Sequence, residues 1–426
     1  MTSATSRTRA AVLAAALAFT AGGAAAELRN GLQPAAFSDS GAGEFEPLFL
    51  LNKVQKYGFG AEWTYRGEGA IPTRFRLSGL YATGTKKWYP SIFVEQPIIP
   101  GTDLFAWVRA GREAEPFAFD DHTITRNENI AAAYFLREDF MDYTEVRRAA
   151  AGLRLGPFWE QTLTAGIGTE RHEPMDRVTL KAGFFGGAKS FPRNAVATAM
   201  EPTVVTLRYD WRTPGGWTPW DEERWDRRKN GVWVTWEGFW ADPEIGGDVA
   251  VSRQLVEGRA RWTPADVLEL RFRGAIGWTP YGGMDGSAFA VYPGMKPPPE
   301  GELSGIRVPG AGRLPPQWTF HAGGIGTLRG HDDKEFVGDQ LLLGNLEYAF
   351  HTSRDFAIVL FTDLGKAWYQ DEEPYAGGGF FEKGSLAWDG GAGIEVGQGA
   401  LRVQLAQDLR DMERTPRLTM RLQRPF

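Results

Sequence analysis

Residues 417–426, Arg-Leu-Thr-Met-Arg-Leu-Gln-Arg-Pro-Phe, close the chain and decide its fold. Successive side chains of a strand point to opposite faces. Leu418, Met420, Leu422 and Phe426 therefore share one face, and Arg417, Thr419, Arg421 and Gln423 the other. Arg424 is the single intruder, close enough to the end for its side chain to reach an interface. The stretch before it repeats the pattern: Leu401, Val403 and Leu405 alternate with Arg402, Gln404 and Ala406. Further back, Leu268, Leu270, Phe272 and Ile276 alternate with Glu269, Arg271, Arg273 and Ala275. A row of ionisable groups this dense suits a wet lumen better than a dry sandwich core, where unpaired charges are very costly. Apolar outward and polar inward is the pattern of a transmembrane β-barrel.

Composition agrees with that reading. The 426 residues include 53 Gly and 16 Trp, aromatic residues make up 13%, and mean hydropathy is −0.33. Beyond the first thirty positions no apolar run is long enough for a membrane helix, so any membrane crossing must be made by a closed barrel. Met1 to Ala26 has Arg7 and Arg9, an apolar run from Ala10 to Thr20 and the small residues Ala24, Ala25 and Ala26. That is the three-part pattern of a secretory signal, with cleavage expected near Ala26. The net charge of −6 with scattered basic residues gives no reason to expect nucleic acid as a partner. The absence of cysteine excludes disulfides and thiolate metal sites.

Alternation predicts sixteen strands, near 54–66, 73–82, 88–99, 103–113, 145–155, 159–171, 176–186, 203–211, 232–241, 248–261, 267–279, 338–351, 355–369, 386–397, 399–409 and 416–426. The chain then divides into a signal peptide (1–26), a short periplasmic segment (27–53) and an outer-membrane barrel (54–426) with a long loop at 280–337. An even count puts both termini on one side. Parity makes the turns at Thr352-Ser353-Arg354, Gly397-Gln398-Gly399 and Trp262 to Asp266 periplasmic and the 280–337 loop extracellular. Parity also makes residues 114–144 periplasmic, where Asn129 to Asp142 reads as a helix with Ile130, Tyr134, Phe135 and Phe140 loosely on one face. This helix is expected under the barrel floor. Trp211 to Trp240, with Trp217, Trp220, Trp225, Trp233 and Trp236, reads as an interfacial aromatic girdle, with loop packing as the blander alternative.

Five signals in order carry a family resemblance. Tyr209-Asp210-Trp211-Arg212 precedes Pro214 and Gly215. Phe320-His321-Ala322-Gly323-Gly324 precedes Leu328-Arg329-Gly330-His331. Gly338-Asp339 leads into Asn345-Leu346-Glu347-Tyr348. Phe361-Thr362-Asp363-Leu364-Gly365 is followed by Trp368. Gly399-Ala400-Leu401-Arg402 opens the penultimate strand, and Phe426 ends the last. Asn52-Lys53-Val54-Gln55 with Gly58 and Gly60 adds a match near the first strand. Together they resemble the BamA/TamA-type outer-membrane assembly barrels, also called the bacterial surface antigen superfamily.

The resemblance implies an all-β, 16-stranded antiparallel barrel whose long loop folds into the lumen. Its tip would be Leu328, Arg329, Gly330 and His331, its base Ala322, Gly323 and Gly324. Arg329 would pair with Glu347 and Asp363, which alternation turns inward: Glu347 lies opposite Leu346, Tyr348 and Phe350, and Asp363 opposite Ile358 and Leu360. Leu418, Met420, Leu422 and Phe426 would form the C-terminal barrel signal. The expected partners are outer-membrane lipids including lipopolysaccharide, the barrel-assembly machinery during biogenesis and a separate periplasmic protein. That last partner replaces the family's capture domains, for which 27–53 is too short.

Catalytic patterns are lacking. No G-x-S-x-G or H-E-x-x-H occurs, and Gly187-Ala188-Lys189-Ser190 is not a phosphate loop. His331-Asp332-Asp333 reads as an exposed acidic loop tip in preference to a metal site or a hydrolase centre. No enzyme activity, cofactor or metal is expected. The leading function is insertion or translocation of proteins or lipids at the outer membrane. A passive channel or structural barrel is the alternative, and an outer-membrane hydrolase the third.

Overall fold

The computed structural model describes residues 43–67, 73–158, 160–178, 190–214, 230–279, 314–353, 355–369, 386–397, 399 and 401–422. The signal segment 1–26, Trp217, Trp220, Trp225, Pro425 and Phe426 lie outside these residues. The strands are β1 (Glu44–Asn52), β2 (Lys56–Arg66), β3 (Arg74–Ala82), β4 (Lys87–Pro97), β5 (Leu104–Pro116), β6 (Tyr143–Phe158), β7 (Gln161–Pro174), β8 (Thr203–Arg212) and β9 (Gly231–Ala241). They continue as β10 (Val251–Ala265), β11 (Leu268–Trp278), β12 (Phe320–Ala322), β13 (Phe336–Gly338), β14 (Gln340–His351), β15 (Phe356–Trp368), β16 (Ala387–Val396), β17 (Leu401–Asp408) and β18 (Arg417–Leu422). One helix, α1 (Arg126–Leu136), lies between β5 and β6.

Sixteen of these strands form one antiparallel barrel sheet in chain order, and β12 and β13 pair apart from it. The period of two sorts the faces. Leu346, Tyr348, Phe350, Ile358, Leu360, Leu405, Leu418 and Met420 point outward and exposed, while Arg271, Arg273, Glu347, Asp363, Arg402, Gln404 and Arg421 are buried inside. Register brings the inner groups into rows: Arg271 faces Glu347, and Asn345 faces both Arg273 and Asp363.

The count matches expectation through two errors that cancel. Residues 44–52, assigned from sequence to a periplasmic segment, form β1 and pair with β2 from Glu44↔Thr64 to Asn52↔Lys56. The first strand among the described residues is thus β1, from Glu44. The strand expected at 176–186 is not found: residues 176–178 are irregular and the rest lie outside the described residues. An added first strand reverses the side of every connection up to β7. Residues 117–142 consequently leave the barrel at the same end as the long 279–339 connection, not beneath its floor. The helix there is Arg126–Leu136, shorter than and shifted from the expected 129–142.

Both connections turn back into the lumen and pack on each other. Phe119, Phe320, Ala322 and Leu328 form a buried cluster with Leu255, Ala275, Leu341 and Leu343 of the wall. Gly326 adopts φ +82°, and a Cβ there would lie 2.1 Å from the Thr123 carbonyl oxygen, so only glycine lets the two loop backbones touch.

Candidate functional site

Arg329 reaches the wall as a fork. Its Nε and Nη2 donate to Asp363 Oδ2 and Oδ1 at 2.7 and 2.6 Å, and Nη1 donates to Glu347 Oε1 at 2.5 Å. The guanidinium sits 3.6 Å over the Phe361 ring. This bidentate geometry suits Arg and no other cation. Burial by itself would lower the Arg329 pKa, but the Asp363 and Glu347 carboxylates raise it above the usual value. Glu347 also accepts from Arg402 Nη1 at 2.9 Å, and Arg271 and Arg402 both pair with Glu395. Asn345 Nδ2 ties Asp363 Oδ1 to the Thr327 carbonyl at 2.8 and 2.7 Å. The loop is thereby anchored by charges that alternation had already turned inward. At its base, β12 and β13 pair from Phe320↔Gly338 to Ala322↔Phe336, and Gly323 and Gly324 turn with φ of +113° and +83°.

Gly330 lets the tip press against the wall, since a Cβ there would lie 2.8 Å from the Asp389 carboxyl group. Its N–H donates to Asp389 Oδ2 at 2.7 Å. The turn carries His331 inward to 3% exposure, while Asp332 and Asp333 stay exposed. The expectation of an exposed tip is corrected at His331 for this reason. His331 Nδ1 lies 2.9 Å from Asp389 Oδ1 and Nε2 lies 3.2 Å from Asp408 Oδ2. The three side chains bring ligand-type atoms within 4.8 Å of one another. A metal needs its ligands to converge on one point, whereas this ring spends its two nitrogens on two carboxylates in different directions. The arrangement is an imidazole held between two acids.

That clamp is sensitive to pH. Asp389, Asp408 and Glu335 surround the imidazole, the Phe336 ring lies tilted 5.2 Å away with Lys366 beyond it, and Arg414 Nη1 lies 4.0 Å from Asp408. Burial would lower the His331 pKa, but Asp389, Glu335 and Asp408 outweigh it and the pKa rises. A histidine with a raised folded pKa contributes fully below its unfolded value of about 6.5, and the contribution is lost as pH rises through the folded value. Loop docking, followed as current noise in planar bilayers, is therefore expected to weaken on going from about pH 6 to about pH 9. His331→Gln should flatten that profile; a profile unchanged by the substitution would assign the titration elsewhere.

A second polar cluster joins the two inner loops to the first turn of the barrel. Lys334 Nζ lies 2.8 Å from Asp120 and 2.7 Å from Asp142, and Lys53 Nζ lies 2.8 Å from Asp142. Asp139 accepts from the Lys53 N–H at 2.7 Å, and His321 Nε2 meets Asp120 at 2.7 Å. Burial pushes the Asp142 carboxyl pKa up, but Lys334 and Lys53 pull it well below the usual range. For Lys334, burial lowers the ammonium pKa and Asp120 and Asp142 more than restore it, so both stay charged. Sequence reading missed this cluster because it had placed 114–144 at the opposite end.

Helix α1 lies at the junction of the first and last strands. Thr125 caps it, accepting the Glu128 N–H at 3.0 Å, which holds Glu128 in the first turn. Glu128 Oε1 accepts the Leu422 backbone N–H at 2.8 Å and Arg421 Nε at 3.1 Å; Oε2 accepts Arg421 Nη2 at 3.2 Å. Further along the helix, Ala133 and Ile130 pack with Leu51 of β1, Tyr57 and Phe191. Among the described residues, β1 and β18 end the sheet without a ladder between them. Leu418, 74% exposed, and Met420 face outward, and Leu422 is half-buried.

Residues 228–419 match the Omp85 superfamily domain. No curated protein matches the chain. Among solved structures, the chain is similar to BamA from Haemophilus ducreyi lacking POTRA domains 1-3, with a TM-score of 0.55 and 10% identity over 90% of this chain and 69% of that one. It shows looser likeness to CdiB from Escherichia coli (TM-score 0.45, 10% identity, 91% of this chain and 63% of that one). CdiB from Acinetobacter baumannii is looser again (TM-score 0.39, 8% identity, 89% and 65%). The chain spans less than two thirds of either CdiB. The domain match across 228–419, the 16-stranded antiparallel sheet in chain order and the likeness to BamA together support a BamA/TamA-type Omp85 barrel.

Proposed function

We propose that this barrel inserts or translocates substrate proteins or lipids at the outer membrane by parting β1 from β18, with α1 as the latch. The observation that carries the reading is the seam itself, which among the described residues is bridged by a helix through Glu128 and Ala133 where every other neighbouring pair is joined by a ladder. Unpaired strand edges are templates for another strand. Pro47 within β1 removes one donor, as edge strands tolerate. In this reading both termini are periplasmic and the loop end faces outward. Client capture falls to a separate periplasmic partner, lipopolysaccharide bathes the outer rim, and the barrel-assembly machinery places the protein itself. The passive-channel reading is weaker because the Arg329 and Lys334 networks occupy the lumen.

The chain has no cysteine, so a latch can be installed without competing thiols. Leu51→Cys with Ala133→Cys joins two members of one buried cluster. The assay is the rate at which a urea-unfolded eight-stranded barrel folds into liposomes carrying the full chain. Oxidation is expected to reduce that rate to that of empty liposomes, and reduction to restore it. Equal rates in both states, with the cross-link verified, would remove α1 from the gating step.

A further inference from the structure

The lumen contains a cavity of about 270 Å³ between the wall of β5 to β10 and the two inner loops. Most cations at its lining are already matched. Arg208 pairs with Asp210 and Glu237, Arg259 with Glu257, and Arg148 with Glu115 and Glu170. Arg253 is the exception: it is 4% exposed, and its Nε and Nη2 have no hydrogen-bond partner. Its guanidinium lies 4.3 Å over the Phe320 ring. A second lining donor, Trp107 Nε1, is also buried without an acceptor.

The surroundings of Arg253 are aromatic. Phe239 is its register partner on β9, the Phe239 and Trp318 rings are 4.7 Å apart, and His172 meets Trp318 edge-on at 5.5 Å. Phe239, Trp318 and His172 all line the cavity. Glu237 attracts this guanidinium through space while pairing directly with Arg208, so the buried Nε and Nη2 of Arg253 stay without an acceptor, which is costly, and the planar fork matches a carboxylate. Aromatic walls beside it favour a ligand with an apolar body, and the volume limits that body to a small one.

We infer that this cavity binds a small amphipathic carboxylate, its anionic group on Arg253 and its apolar body against the contacting Phe239 and Trp318 rings. The site is distinct from the Arg329 and Glu128 contacts, so it stands whether or not the seam opens. Calorimetric titration of the full chain in detergent, with benzoate as the probe, tests it. Benzoate is expected to bind saturably. Neutral benzamide should not bind, and inorganic phosphate, lacking an apolar body, should bind more weakly. Arg253→Leu, which removes two buried N–H donors that lack acceptors and leaves Glu237 its Arg208 partner, should fold and is expected to weaken benzoate binding by about tenfold to a hundredfold. Arg253→Lys, keeping the charge without the fork, should fall between. Heat-modifiable migration on gels checks that each variant is folded. Non-saturable benzoate binding, or saturable binding unchanged in a folded Arg253→Leu, overturns the proposal. Phosphate binding as tightly as benzoate would overturn the amphipathic assignment and leave a bare anion site.

Discussion

Arg329→Ala is expected to turn a small, flickering conductance in planar bilayers into a larger and steadier one. The substitution removes the fork that spans Asp363 and Glu347 and leaves Asp363 buried without its cation. Glu347 keeps Arg402, so the loss concentrates on Asp363 and on the loop. Removing one partner of a buried ion pair costs about 3–5 kcal/mol. At about 1.4 kcal/mol per tenfold, loop docking would weaken by roughly two to three orders of magnitude. Gly330 and His331 would still touch Asp389, so the residual docking should respond to pH through His331. Arg329→Lys keeps the charge but cannot span both acids and should be intermediate. A large steady conductance already present in the wild type, or one indifferent to Arg329→Ala, would show that the loop does not close the lumen.

Legibility from sequence followed the physics of each segment. Strands with one face in lipid and the other in a polar lumen alternate cleanly, so β14, β15, β17 and β18 could be read, and with them the inward faces of Glu347 and Asp363. The strand β1 could not. Its Leu48, Phe49, Leu50 and Leu51 run together, because Leu48 and Leu51 are buried against the inner loops while Phe49 faces outward. An apolar run preceded by Pro47 resembles no lumen-facing strand, and losing it inverted the side assigned to 114–144. Helix α1 was blurred for a related reason. It lies among polar lumen groups and makes its decisive contacts through Glu128 and Asn129, so its apolar face is narrow. The burial of His331 depends on the close approach of Gly330 to Asp389, a tertiary fact with no local signature. The missing hydrogen-bond acceptors at Arg253 depend likewise on which acids other arginines have taken.

Glu128→Ala is expected to have the largest effect on the seam. One carboxylate accepts both the Leu422 N–H and the Arg421 guanidinium, so its removal frees the backbone of the last strand and leaves a buried Arg with only the Thr123 carbonyl at 3.1 Å. Losing the buried partner costs about 3–5 kcal/mol, and part of that falls on the state in which α1 bridges the seam. Brief seam openings, seen as bursts of current, should become about tenfold or more frequent. Folding of a substrate barrel into liposomes should accelerate where opening limits its rate. Glu128→Gln can still accept the Leu422 N–H but cannot balance Arg421, so it should lie between wild type and alanine. Loss of stability alone would not produce the next result. Adding the oxidised Leu51→Cys/Ala133→Cys cross-link to Glu128→Ala holds α1 on β1 but leaves β18 unlatched. If the latch acts as one unit across both strands, this combination should keep the bursts while the cross-link alone suppresses them. Equal suppression in both would confine the gate to the β1 side and leave Glu128 a purely structural contact to β18.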